Sequence, residues 1–110
     1  MIIDFKDIAE VRINGFKGGQ GELDTRNFAD EKVKIMKRIL KPGASSGLHT
    51  HEGNCEVMYI LKGELTYHYD SKTEVAHAGQ VHYCPMSHNH YFENLTTEDA
   101  EYLAIVPEHH

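Results

Sequence analysis

The chain is poor in cysteine, in positive charge and in long apolar runs. Its two cysteines, Cys55 and Cys84, form no CxxC pair, so no disulfide framework is indicated. No run of about 18 apolar residues is present, which excludes a membrane-spanning helix. No signal-peptide pattern opens the chain. These absences point to the cytoplasm, where both cysteines are thiols. Lys and Arg number 11 against 17 Asp and Glu, for a net charge of −6. That balance argues against nucleic acid and anionic membrane as partners. Helical periodicity of useful length is missing, as are repeats and low-complexity segments. The segment Asn14–Gly21 holds four glycines in eight residues. No GxGxxG fits it and no helix pattern follows, so it reads as a loop rather than a phosphate cradle.

What remains is a set of short strands. At 110 residues the chain is one domain, 1–110, with enough length for one core. Met1 to Phe5 reads as a short first strand. Val33 to Leu40 is β-rich and stops at Lys41-Pro42-Gly43, a turn signal. Glu56 to Lys62 places Met58 and Ile60 on the face of Glu56, and Val57, Tyr59 and Leu61 on the other. A strand apolar on both faces is covered on both. Gly63-Glu64 turns into a strand over Leu65 to Asp70, which turns again at Asp70-Ser71-Lys72. Further strands are expected at Val81 to Cys84, His90 to Leu95 and Tyr102 to Val106. Many short strands with frequent turns predict an all-β, antiparallel sandwich or barrel.

Against this background nine histidines in 110 residues stand out. His109 and His110 end the chain and are left out of the site. His49 and His51 are two apart, so on a strand they share a face. Glu56 follows after a short turn, and His90 comes from a separate hairpin. Three imidazoles and one carboxylate suit one divalent transition metal, among Mn, Fe, Ni, Zn and Co. A buried Glu56 beside Met58 and Ile60 needs a cationic partner, which such an ion supplies.

The spacing resembles the cupin family. The first cupin motif runs Gly, five residues, His-x-His, three or four residues, Glu, six residues, Gly. Gly43, His49, His51, Glu56 and Gly63 match it, with the four-residue spacing. The second runs Gly, five residues, Pro-x-Gly, two residues, His, three residues, Asn. Gly79, Pro85, His90 and Asn94 match, while Ser87 stands where the pattern has Gly. A turn needing positive φ at that point costs more with Ser. Fifteen residues separate Gly63 from Gly79, as in the compact single-domain microbial form. The resemblance implies one cupin double-stranded β-helix, a jelly-roll-like barrel, with motif 1 at 43–63 and motif 2 at 79–94. It also implies a metal held by His49, His51, Glu56 and His90.

Fold alone does not choose a reaction. The leading expectation is a metal-dependent enzyme acting on a small polar molecule, of dioxygenase, decarboxylase, lyase or isomerase type. The alternative is a non-catalytic module that binds or senses a sugar or small acid. The two differ in whether a general acid or base stands beside the open metal positions. His88, two residues before a ligand, and His82 are the candidates. Cys84 as a thiolate near the metal is a weaker one. Tyr67, Tyr69 and Phe92 read as core rather than as a stacking platform, and Asn94 as a buried amide bonded to backbone. Asn54 and Asp70 read as turn residues. The apolar outer faces, with Ile2 and Ile3, predict a homodimer, and cupins are commonly dimers.

Overall fold

Ten strands alternate with tight turns, and two sheets close face to face. The computed structural model describes residues 1–109; His110 lies outside the described residues. The strands are β1 (Val11–Asn14), β2 (Glu22–Ala29), β3 (Val33–Leu40), β4 (His49–Thr50), β5 (Glu56–Lys62), β6 (Glu64–Tyr69), β7 (Lys72–His77), β8 (Val81–Cys84), β9 (Asn89–Glu93) and β10 (Ala100–Pro107). A six-stranded sheet runs β1-β2-β3-β10-β5-β8, and a four-stranded sheet runs β4-β9-β6-β7. Every pairing is antiparallel. Among the described residues helix is confined to two 3-10 turns, Phe5–Asp7 and Phe16–Gly18. No helix among the described residues is long and apolar enough to cross a membrane.

The strand period of two builds the core. Ala100, Tyr102, Ala104 and Val106 of β10 turn inward, and the residues between them are half-buried. Met36 and Leu40 of β3 do the same, as do Met58 and Ile60 of β5. Leu23, Leu40, Met58, Ile60, Leu65 and Phe92 are 1% exposed or less, and each such burial contributes about 1.5–3 kcal/mol. Tyr67 and Phe92 belong to this core. Asn94 is fully buried and donates to the carbonyls of Leu40 (2.9 Å) and Glu98 (2.7 Å), so its amide ties the barrel floor.

Three local features position the site. At Gly63 φ is +80°, the left-handed turn that passes the chain from the large sheet to the small one. At Gly47 a Cβ would lie 1.8 Å from the Lys17 carbonyl oxygen. Only glycine lets the loop Asn14–Gly21 lie against 45–47, where Gly47 N–H donates to Phe16 O. Ser87 does adopt positive φ, +73°. Its N–H donates to the His51 carbonyl at 2.7 Å, and His51 N–H donates to the His88 carbonyl at 3.1 Å, so the strained turn is clamped to the segment carrying His51.

The first expected strand is absent. Met1 and Ile2 are exposed and unpaired, and the chain enters a 3-10 turn at Phe5. Arg26 holds this segment instead, donating to the carbonyls of Phe5 and Ile8. The β propensity of Ile2-Ile3 had no neighbouring strand to satisfy it.

Candidate metal centre

His49 and His90 face each other as a direct pair across β4 and β9. Glu56 opens β5 in the other sheet, and His51 leads the loop between β4 and β5. The two sheets therefore bring four residues from distant segments to one point. Their donor atoms all lie within 4.8 Å of one another. His90 Nε2 is 2.9 Å from His49 Nε2, 3.1 Å from His51 Nε2 and 3.0 Å from Glu56 Oε1. His51 Nε2 is 3.2 Å from Glu56 Oε1. Glu56 and His90 are buried, and His49 is half-buried.

The protons identify this as a set of acceptors. His49 Nδ1 donates to the Gly47 carbonyl at 2.9 Å, and His51 Nδ1 donates to Asn54 Oδ1 at 2.8 Å. Both partners can only accept, so in the neutral rings both Nε2 atoms are bare lone pairs. His90 Nδ1 meets His82 Nε2 at 3.0 Å. Its Nε2 faces three acceptors, and one proton there satisfies only one of them. Glu56 Oε1 is a buried oxygen that accepts no N–H when the imidazole protons sit on Nδ1. Four lone pairs converging on one point fit a cation.

The charge states agree. Burial pushes the His49 imidazole down to about 4, against the Gly47 bond that raises it. Burial likewise lowers His82 to about 4, helped by His90. Burial pushes His51 down as well, but its bonds to Glu56 and Asn54 outweigh this and leave it raised. Burial would raise the Glu56 carboxyl, yet the His51 and His90 contacts hold it well below the usual carboxylate range. An ionised Glu56 and a neutral His49 are the forms a metal requires.

Residues outside the donor set hold it in place. Asn54, read from sequence as a turn residue, orients His51. Its own amide faces Glu108 at 3.4 Å. His82 is buried, stacked on Tyr67 with ring centroids 3.8 Å apart. Its Nδ1 lies 3.9 Å from the Glu74 carboxylate. His82 thus touches a donor imidazole from behind rather than the cavity. His88 is not brought to the cluster: its Nδ1 meets Asp70 and, at 3.2 Å, the Tyr69 hydroxyl. Burial drives the Cys84 thiol up to about 12, so it is no thiolate at neutral pH; its Sγ contacts the His88 carbonyl.

A cavity of about 230 Å³ opens onto the cluster. His49, His51 and Glu56 line it at the donor end, with Phe16, Lys17, Lys34, Met36 and Arg38 among the walls. Lys17 and Arg38 were not foreseen as site residues. Neither His82 nor His88 lines it.

The cupin-domain family model matches residues 36–106, which span the donor set and most of the barrel. The chain belongs to the cupin family. This cupin is 34% identical over 112 residues to the "Oxalate-binding protein" of Thermotoga maritima, covering 96% of this chain and 93% of that one. It superposes with a TM-score of 0.91 on the crystal structure of a protein described as a predicted oxalate decarboxylase from Thermotoga maritima. That pair is 32% identical, with 98% and 99% of the two chains covered. A Bacillus subtilis oxalate decarboxylase variant shares the fold, at TM-score 0.77 and 23% identity, over 96% of this chain and 29% of that one.

Proposed function

We propose that this cupin binds a small polar acid at a divalent transition metal held by His49, His51, Glu56 and His90. The observation that carries the reading is the convergence of four lone-pair donors at the base of a cavity with room for a small molecule. Mn, Fe, Co, Ni or Zn would be held by these four residues. Such an ion would act as a Lewis acid toward bound carboxylate or carbonyl oxygens. The name of the relative makes oxalate the first acid to try.

The protein's own residues do the rest. Gly47, Asn54 and His82 fix the rings of His49, His51 and His90, so the donor set is built before a ligand arrives. Phe16, Met36 and Val106 supply apolar wall. The absence of His82 and His88 from the cavity wall favours binding or sensing over catalysis. Catalysis of the cupin-enzyme kind is the second reading, and Glu52 on the cavity wall favours it as a carboxyl able to exchange a proton. Elemental analysis of protein purified without affinity resin, followed by calorimetric titration with oxalate and an assay for carbon dioxide and formate, separates the two. Binding without turnover supports a binding module, turnover supports an enzyme, and no metal under any loading condition removes both readings.

We also propose a cytoplasmic homodimer. Tyr59, Leu61, Val81 and Tyr83 lie on the outer face of adjacent strands β5 and β8, each 41% exposed or more. A contiguous apolar face of this kind favours association. Light scattering is expected to give twice the 12.5 kDa chain mass, and a monomer at micromolar concentration would refute it.

A further inference from the structure

Arg38 projects inward from β3 and is 7% exposed. Its Nε donates to Thr25 Oγ1 at 3.1 Å, one Nη lies 3.0 Å from the Met36 sulfur, and its guanidinium carbon sits 4.7 Å from the centroid of the Phe16 ring. Thr25 passes the bond to the neutral Asn27 amide. No carboxylate lies within 4.0 Å of Arg38 among the described residues, although Arg12, Arg26, Lys34 and Lys41 each have one. Four less buried cations thus have an anion from the chain, and the most buried one has none. A guanidinium cannot shed its proton to escape burial, and a buried charge without a partner is strongly unfavourable. The buried Tyr102 hydroxyl lies close enough to Arg38 for the guanidinium to offset part of the rise that burial causes.

Arg38 lines the same cavity as the donor set. We propose that Arg38 binds one carboxylate of a small linear dicarboxylate whose other end sits at the metal centre. This rests on the reading of the cavity as the ligand site of that centre. The charges close on a dianion: one carboxylate, one guanidinium and a divalent ion leave two positive charges inside. Lys17, exposed on the cavity wall, adds attraction for an incoming anion. A guanidinium fork matches a carboxylate in plane. The volume is small for a drug-sized ligand and suits a short diacid. Oxalate has four oxygens, so a metal and a guanidinium can share it through different ones, and the class runs from oxalate to slightly longer diacids.

The test is calorimetric titration of metal-loaded and chelator-treated protein with oxalate, malonate, succinate, acetate and inorganic phosphate. Wild type is compared with Arg38→Met and Arg38→Lys. The best of oxalate, malonate and succinate is expected to bind wild type more tightly than acetate. Arg38→Met should weaken it roughly ten- to hundredfold, with acetate changed less than about twofold and metal content unaltered. Arg38→Lys should recover part of the loss. The melting temperature of ligand-free Arg38→Met should hold or rise, because an uncompensated buried charge is gone. Equal diacid affinity in wild type and Arg38→Met overturns the proposal. So does an equal loss for acetate and diacid, or phosphate binding more tightly than any diacid. If Arg38→Met does not fold, Arg38→Lys and the wild-type preference for diacid over acetate decide. Metal content is read separately: a chain that never holds metal removes the metal reading and this proposal with it, whereas a metal-loaded chain with equal diacid affinity in wild type and Arg38→Met overturns this proposal alone.

Discussion

Arg12 and Arg38 stand on two strands of the same sheet and are treated in opposite ways. Arg12, on β1, is half exposed and yet meets Asp24 through two bonds, at 2.7 and 3.0 Å, and Glu22 at 2.9 Å. Lys41 adds a second cation near Asp24 and reaches Asp99 at 3.2 Å. That outer cluster is complete within the chain. Arg38, on β3, is buried beside neutral partners only, and the donor set near it presents four lone pairs to one another. The inner groups are not answered within the chain: the four donors meet one another, and Arg38 meets no carboxylate. Stability alone would have reversed the assignment, giving the carboxylate to the buried guanidinium. Groups left incomplete in a folded protein mark where binding energy is held for a ligand.

The largest effect should come from the cation end. In a His49→Ala, His51→Ala double variant, elemental analysis is expected to find almost no divalent metal. Wild type should gain about 2.7 kcal/mol of stability at metal concentrations 100 times its dissociation constant, and the double variant should gain none. The wild-type gain should shrink with acid. His51 is raised above its ordinary 6.5, so a proton competes with the metal for its Nε2 as pH falls toward and through that range. Equal metal occupancy in the variant would dissolve the inner half of the comparison.

The outer cluster should behave as an ordinary structural pair. Asp24→Asn is expected to cost about 1–2 kcal/mol at neutral pH, read by urea unfolding. The bond from Arg12 is the main reason the Asp24 carboxyl is lowered below 3.8, against its burial. A depressed carboxyl stabilises the fold above 3.8, and that contribution is lost as pH falls through the folded-state value. The variant and wild type should therefore converge in strong acid. A constant difference across that range would mean that Asp24 acts by packing rather than by charge.

How much of this could be read beforehand follows from where each residue's partners lie. The four donors were legible because their spacing is fixed by local turns: Gly43 to Gly63 and Gly79 to Asn94 each form a hairpin-scale unit. β3, β5 and β8 were legible because short β-rich, apolar runs end at turn signals, at Lys41-Pro42-Gly43, Gly63 and Pro85. β1, β2 and β7 were not, because polar residues such as Asp24, Arg26 and Glu74 interrupt their pattern. Arg38 left a signal that went unused: Met36, Arg38 and Leu40 share one face of β3, so a cation stands in an apolar stripe. Asn54 looked like any turn asparagine, since its orienting role depends on Glu108, far away in sequence. His88 looked close to the metal because it lies two residues from His90. That rule needs a continuous strand, and β9 begins only at Asn89, after the left-handed Ser87.

Ser87 itself offers a smaller test. A non-glycine residue at positive φ costs about 1–2 kcal/mol, part of which glycine returns through its freer unfolded chain. Ser87→Gly should raise stability by roughly 0.5 kcal/mol, with metal content unchanged. A loss of stability would mean that the serine hydroxyl makes a contribution the backbone geometry does not reveal.

The smallest effect is expected at His88. Its ring is partly exposed and already answered by Asp70 and Tyr69, so it belongs with the completed clusters. His88→Ala should cost less than about 1 kcal/mol, as exposed pairs usually do. Metal content should stay at the wild-type level, and affinity for malonate should change by less than about twofold. Its backbone carbonyl, which accepts from His51 N–H, survives the substitution, so the clamp on the metal segment remains. A tenfold loss of ligand affinity with metal retained would place this imidazole beside the ligand after all. The line between completed and incomplete clusters would then have to be redrawn to include the 85–89 turn, and His88 would return as the nearest acid or base.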